Sequence, residues 1–168
     1  EWTFWHEDGS LRAREHHVNG EEDGLYQSWY SNGAPLDSVR MVKDKAQGLF
    51  TVHEYTGALR HRRTYVDSKA NGPASYYHAC GTLRYNTTLT DEKANGPTTG
   101  YYADGSKSWS GTLKDNMREG VFEDFHANGQ LAARGSFLAG DRNGHFEEWF
   151  VNGKKSGEGD WLKGKRTG

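Results

Sequence analysis

One cysteine, three prolines and no isoleucine mark what is scarce in this 168-residue sequence. The lone Cys80 excludes an internal disulfide framework. Without isoleucine, a core has to be assembled from rings, leucine and valine. No apolar run reaches the roughly 18 residues that cross a bilayer as a helix, so a soluble chain without a transmembrane segment is expected. Charge of one sign is lacking too. Lys and Arg number 21 against 23 Asp and Glu, a net of −2, which gives no general pull toward nucleic acid. No signal peptide is visible, and the sequence opens on Glu1 instead of Met, so an N-terminal precursor is out of view and the compartment is undetermined. Mean hydropathy of −0.98 on its own points toward disorder. Six tryptophans, nine tyrosines and seven phenylalanines argue the other way.

What is abundant is glycine, and it is ordered. One series falls at Gly24, Gly48, Gly72, Gly96, Gly120, Gly144 and Gly168. A second falls at Gly9, Gly33, Gly57, Gly81, Gly105, Gly129 and Gly153 with the same spacing of 24. Seven 24-residue units account for the sequence without insertion or deletion, and a fixed period of this length signals a repeat architecture. Counting from the first glycine, position three holds Trp2, Tyr26, Phe50, Ala74, Thr98, Phe122 and Phe146. Position six holds Trp5, Trp29, His53, Tyr77, Tyr101, Phe125 and Trp149, and its rings Trp5, Trp29, Tyr77, Phe125 and Trp149 are the expected packing anchors. Leucine recurs at position twelve and a large apolar residue at most positions eighteen.

These anchors define two short strands per unit, separated by turn chemistry. Asp8, Asn32, Asp104, Asn128 and Asn152 precede the second glycine, and Asn-Gly and Asp-Gly pairs suit a two-residue type I′ hairpin. Asn71-Gly72-Pro73 and Asn95-Gly96-Pro97 mark the other connection, with proline opening a strand. Both glycine series are therefore read as turn glycines. No helical period survives this spacing. The fold class expected is all-β: tandem β-hairpin repeats stacked into an elongated antiparallel sheet or open solenoid. It forms a single repeat domain over 1–168, with units 1–23, 24–47, 48–71, 72–95, 96–119, 120–143 and 144–167.

Gly120-Val-Phe-Glu-Asp-Phe-His-Ala-Asn-Gly-Gln-Leu131 and Gly144-His-Phe-Glu-Glu-Trp-Phe-Val-Asn-Gly-Lys154 resemble MORN-type repeats. The pattern is that of the bacterial variant, Gly-x-aromatic-x-x-aromatic-aromatic-x-Asn-Gly-x-Leu. The resemblance covers the whole chain and is weakest in units 4 and 5, where Ala74, Thr98 and Lys107 replace anchors. It implies a hairpin-repeat sheet used for protein contacts, dimerisation or, in some members, lipid association. Some bacterial members act as antitoxins.

Reactive constellations are sparse. Asp124 and His126 have the spacing to share a metal from one strand face, but the other units repeat no such ligand set, so no metal, cofactor or catalytic residue is expected. Cys80 sits in a turn where other units carry Asn or Asp, and reads as an exposed thiol. Arg12, Arg14, Arg60, Arg62, Arg84 and Arg134 make a basic stripe with its densest patch at Arg60–Arg63, and Arg12, Arg14, Arg60, Arg62, Arg63 and Arg84 are the candidate partner-binding residues. Residues 1–23 carry seven acidic side chains against two arginines, and residues 153–168 carry five basic against two acidic. Bare strand edges with opposite charge favour head-to-tail stacking of units, either between chains as a filament or within a longer array of which this sequence is a slice. The expected function is a non-catalytic interaction or assembly scaffold that binds a protein or itself. The alternatives are a surface module for carbohydrate or lipid headgroups, or an antitoxin.

Overall fold

The computed structural model describes residues 1–167, and among them there is no helix. The chain forms two compact units divided between Thr82 and Leu83. The first contains β1 (Trp2–Trp5), β2 (Leu11–Glu15), β3 (His17–Val18), β4 (Glu21–Glu22), β5 (Gly24–Trp29), β6 (Pro35–Val42), β7 (Lys45–His53), β8 (Leu59–Val66) and β9 (Lys69–Tyr77). Its ladder runs β1-β2-β5-β6-β7-β8-β9, all antiparallel, with β3 and β4 paired separately. The second contains β10 (Leu83–Thr90), β11 (Lys93–Tyr101), β12 (Lys107–Lys114), β13 (Met117–Phe125), β14 (Leu131–Leu138), β15 (Asp141–Trp149), β16 (Lys155–Leu162) and β17 (Lys165–Thr167), each antiparallel to the next. The architecture is all-β and built of tandem hairpins, as the 24-residue period requires.

The turns differ from the expected chemistry. At the second glycine, His6 N–H donates to the Ser10 carbonyl at 2.8 Å and Gly9 N–H to the His6 carbonyl at 3.0 Å. The same pair of bonds recurs at Tyr30, Glu54, His78, Tyr102, His126 and Phe150. This is a three-residue loop, a type I turn closed by a left-handed glycine, and not the two-residue type I′ turn. The preceding Asp or Asn locks it, as when Asp8 Oδ1 accepts from Ser10 N–H at 2.8 Å and Asn32 Oδ1 from Ala34 N–H at 2.9 Å. The type I′ turns lie elsewhere. Lys43-Asp44, Asp67-Ser68, Asp91-Glu92 and Asp115-Asn116 all hold both central residues at φ between 47° and 69°, with no glycine present.

The first glycine series is not in turns among the described residues, outside which Gly168 lies. Gly24 opens β5, and Gly48, Gly72, Gly96, Gly120 and Gly144 lie inside strands, with φ from 74° to 140°. There one residue faces three, as between β6 and β7, where Ser38 pairs Thr51 but Arg40 pairs Gln47. The surplus residues form a bulge that only a left-handed backbone accommodates, hence glycine. Pro73 and Pro97 sit in these bulges within β9 and β11, where a missing amide removes little from the ladder.

Alternation then sorts the side chains. One face collects positions three, five, fourteen, sixteen and eighteen, and buries Ala13, Val39, Ala74, Leu89, Phe122 and Phe146. Position six is not where burial is deepest: Trp5 is 60% exposed, whereas Phe122 is 1% exposed. Trp29, Tyr77, Phe125 and Trp149 are half-buried. They follow a second irregularity, seen where Phe4 pairs Ala13 but Trp5 pairs Leu11, which carries position six toward the loop.

Candidate interaction surfaces and a cation cluster

The ring face of the second unit is stepped from hairpin to hairpin. Phe122, Phe137, Phe146 and Trp161 form an edge-to-face series with centroids 5.5, 5.3 and 6.3 Å apart. The Arg118 guanidinium lies 4.8 Å from the Phe122 centroid and 5.1 Å from that of Phe137. Arg142 repeats this over Phe146 at 4.7 Å and Trp161 at 4.9 Å. Each position-three ring is seated on the position-sixteen glycine of the preceding hairpin. A methyl group at Gly111 would meet Phe122 at 2.5 Å, and one at Gly135 would meet Phe146 at 2.2 Å. At Gly159 the neighbour is instead the Arg166 guanidinium, whose Nε is 3.0 Å from the same point. A cleft of about 370 Å³ opens there, lined by Phe146, Trp161, Gly157, Gly159, Arg142 and Arg166.

The first unit has a different opening, about 510 Å³, framed by Phe4, Tyr26, Trp29, Glu15 and Asp37. Burial, and then the charge of Asp37, push the Tyr26 phenol up. The Ser28 hydroxyl donates to Asp37.

Of the candidate partner-binding arginines, Arg12, Arg14, Arg60, Arg62 and Arg84 are exposed, and Arg63 is not among them. Arg12 and Arg14 lie over the Phe4 and Trp29 rings at 5.5 and 5.8 Å. Arg60 Nε stands 3.6 Å from Glu54. Arg63 turns to the opposite face, where its Nη2–H donates to His61 Nε2 at 2.8 Å and its cation lies 5.9 Å over Tyr76. His61 is 9% exposed, and burial, then Arg63 and Arg60, hold its pKa down to about 4.

Both rims of the hairpin stack carry hydrogen bonds between successive repeats. At position seven, His6 Nε2–H donates to the Trp29 carbonyl, Tyr30 O–H to His53, Tyr102 O–H to Phe125 and His126 Nε2–H to Trp149, at 2.6 to 2.9 Å. Histidine and tyrosine substitute for each other at these four positions because both place a donor at the same reach. On the far rim, Asn116 N–H donates to the Ala94 carbonyl while its Oδ1 accepts from Ala94 N–H at 2.7 Å. What recurs at His6, Tyr30, Tyr102 and His126 is the donor, not the residue type.

One group of ligand-type side chains converges. On β15 and β16, His145 stands opposite Asp160 and Glu147 opposite Glu158. His145 Nδ1 is 2.9 Å from Asp160 Oδ1, and Nε2 is 3.8 Å from Glu158 Oε2. Lys155 Nζ lies 2.7 Å from both Glu147 and Glu158. The Asp160 hydrogen bond raises the His145 pKa, and the Lys155 hydrogen bond lowers that of Glu158. Asp124 lies in β13 but His126 falls just beyond its end, with Nε2–H committed to the Trp149 carbonyl, and the two are not part of any such group among the described residues. Cys80 is exposed in its turn, with Sγ 3.2 Å from the Thr82 hydroxyl, which holds the thiol below its ordinary range.

Comparison with known proteins follows the same lines. No curated protein matches the chain. Among solved structures, a mutant of S. aureus TarM in complex with Fondaparinux, alpha-GlcNAc-glycerol and UDP aligns at 10% identity and a TM-score of 0.38, over 61% of this chain and 20% of that one. A GtfA/B complex bound to UDP and GlcNAc aligns at 12% identity and a TM-score of 0.28, over 65% of this chain and 21% of that one. The chain thus spans about a fifth of the length of these structures, and neither likeness bears on function. The family model of the MORN repeat variant matches residues 118–139, the stretch that holds Phe122, Gly135 and Phe137. With this unit repeated at a 24-residue period, the chain is a MORN-type repeat protein.

Proposed function

We propose that this chain is a non-catalytic interaction scaffold whose partner is a second copy of itself, stacked head to tail. MORN repeats supply a repeat-based binding module. The observation that supports self-stacking is the ring-on-glycine step. Phe122 sits on Gly111 and Phe146 on Gly135, while Gly159 has only the Arg166 guanidinium against it. On β1 the position-three residue is Trp2, 59% exposed and stacked on His17 at 4.5 Å. A Trp2 ring from a second copy has the chemistry to fill the cleft beside Phe146 and Trp161. Among the described residues β16 pairs β17 only along Asp160–Leu162, and along Lys155–Gly159 the Glu158 carbonyl accepts from Arg166 Nη2–H at 3.1 Å, a bond that β1 of a second copy would displace. The acidic first repeat and the basic last one add long-range attraction, which salt screens. Such a contact is heterologous and extends instead of closing.

Sedimentation velocity over a concentration series, at low and high salt, tests this reading. Species growing with concentration, diminished by salt and abolished in Trp2→Ala, are expected. A monomer under every condition, or association indifferent to Trp2→Ala, would overturn it.

A further inference from the structure

We propose that His145, Glu147 and Glu158 form a surface site for a divalent transition-metal cation of the zinc class, with Asp160 orienting the histidine. This site does not depend on the stacking reading, although Lys155 and Glu158 lie on the strand edge that reading uses. The four side chains form two directly opposed cross-strand pairs on β15 and β16. Residues two apart on a strand share a face, so all four project to the same side of a ladder whose hydrogen bonds hold their Cα atoms in place. The donor atoms of His145, Glu147 and Glu158 all lie within 4.8 Å of one another.

Two features raise this above a chance gathering of charged side chains. Asp160 Oδ1 is 2.9 Å from His145 Nδ1, which holds a ring proton there and turns Nε2 toward Glu158 Oε2 at 3.8 Å, where a cation would replace the second ring proton. A metal-binding histidine held by a carboxylate on its second nitrogen is the usual second layer of such sites. Zinc bonds of about 2.0–2.2 Å set neighbouring ligands roughly 3.3 Å apart, so small side-chain rotations bring these donors into range. The second feature is the ammonium of Lys155. Glu147 and Glu158 are directly opposed carboxylates, a repulsive pair in a sheet. Lys155 Nζ relieves it from 2.7 Å on each side, and so marks the point between them as a seat for positive charge.

A dication bound by one imidazole and two carboxylates takes that seat, and the 44% exposed Lys155 side chain swings to solvent. The imidazole nitrogen favours zinc-like metals over magnesium or calcium, which take oxygen ligands. Water completes the coordination.

The test is Zn²⁺ titration of the full chain against a chromophoric chelator in a non-coordinating buffer, with circular dichroism to verify the fold of each variant. Uptake of one equivalent is expected, weakened at least about tenfold in His145→Ala and about tenfold in Asp160→Asn, which keeps every ligand. Lys155→Met, which removes the competing ammonium, should tighten it. Uptake unchanged in His145→Ala would assign the metal to other histidines and overturn the proposal. Uptake by Lys155→Met alone would make the lysine the native occupant and overturn it as well.

Discussion

Phe122 owes its burial to what its neighbours lack. Gly111 and Gly135 remove the Cβ atoms that would otherwise occupy its ring plane and that of Phe146, at 2.2 to 2.5 Å. A single-layer sheet buries a ring only by laying it across neighbouring backbone, and glycine is the residue that permits the approach. Where the position-three residue is small, a polar pair takes over: Thr98 at 2% and Thr87 at 7% exposure share a hydrogen bond of 2.9 Å between their hydroxyls. His61 is the corresponding polar residue of the first unit, buried between Phe50 and Tyr76. Its folded pKa of about 4 lies below the ordinary 6.5. Between those values the unfolded chain binds a proton that the folded chain refuses, so His61 makes stability fall as pH drops from 6.5 toward 4. The loss should approach about 2 kcal/mol. In His61→Gln, which still accepts from Arg63 but does not titrate, the difference in unfolding free energy from urea titration between about pH 7 and about pH 4.5 should shrink by that amount. An unchanged pH slope would show that the imidazole is not held neutral.

Each hairpin is specified by two unlike ends. The Asx-Gly end is locally encoded, because the Asp or Asn side chain and the glycine each satisfy one requirement of the three-residue loop. The other end relies on strand pairing to force two non-glycine residues to positive φ. Asp91 and Glu92 sit at 47° and 66°, and the second of these gains nothing local from that conformation. Glu92→Gly should therefore stabilise the protein by about 1 kcal/mol, read as a rise in the thermal midpoint. A fall would mean that the glutamate side chain makes a contact worth more than the backbone strain. At Asp115-Asn116 the same change would not help, since Asn116 Oδ1 accepts the Ala94 amide on the neighbouring turn. Rim bonds of this kind tie successive turns 22 or 23 residues apart within a unit.

Across the molecule, stability should follow ring content, because contacts run between successive hairpins and the free energy of each depends on its neighbours. The second unit buries Phe122 and Phe146, whereas the first relies on Ala13, Val39, Ala70 and Ala74. Hydrogen–deuterium exchange should find the slowest amides in β13–β15 and the fastest in β1–β4, where Asp23 N–H to the His16 carbonyl interrupts the first hairpin. Uniform protection throughout would contradict this gradient.

Fold class, repeat length and the MORN-type unit were legible in the residue string, since glycine at fixed spacing and rings at fixed offsets report local backbone demands that recur every 24 residues. The role of each glycine was not. Gly48 and Gly57 both need positive φ, but only strand pairing makes one a bulge, against β6, and the other a turn. The same holds for the core: Trp5 and Phe122 look equivalent as periodic rings, and the irregularities in register decide which of them is covered. The His145, Glu147, Glu158 and Asp160 cluster belongs wholly to the tertiary level. Side chains 15 residues apart meet there because the ladder sets β15 opposite β16, a pairing no single strand contains.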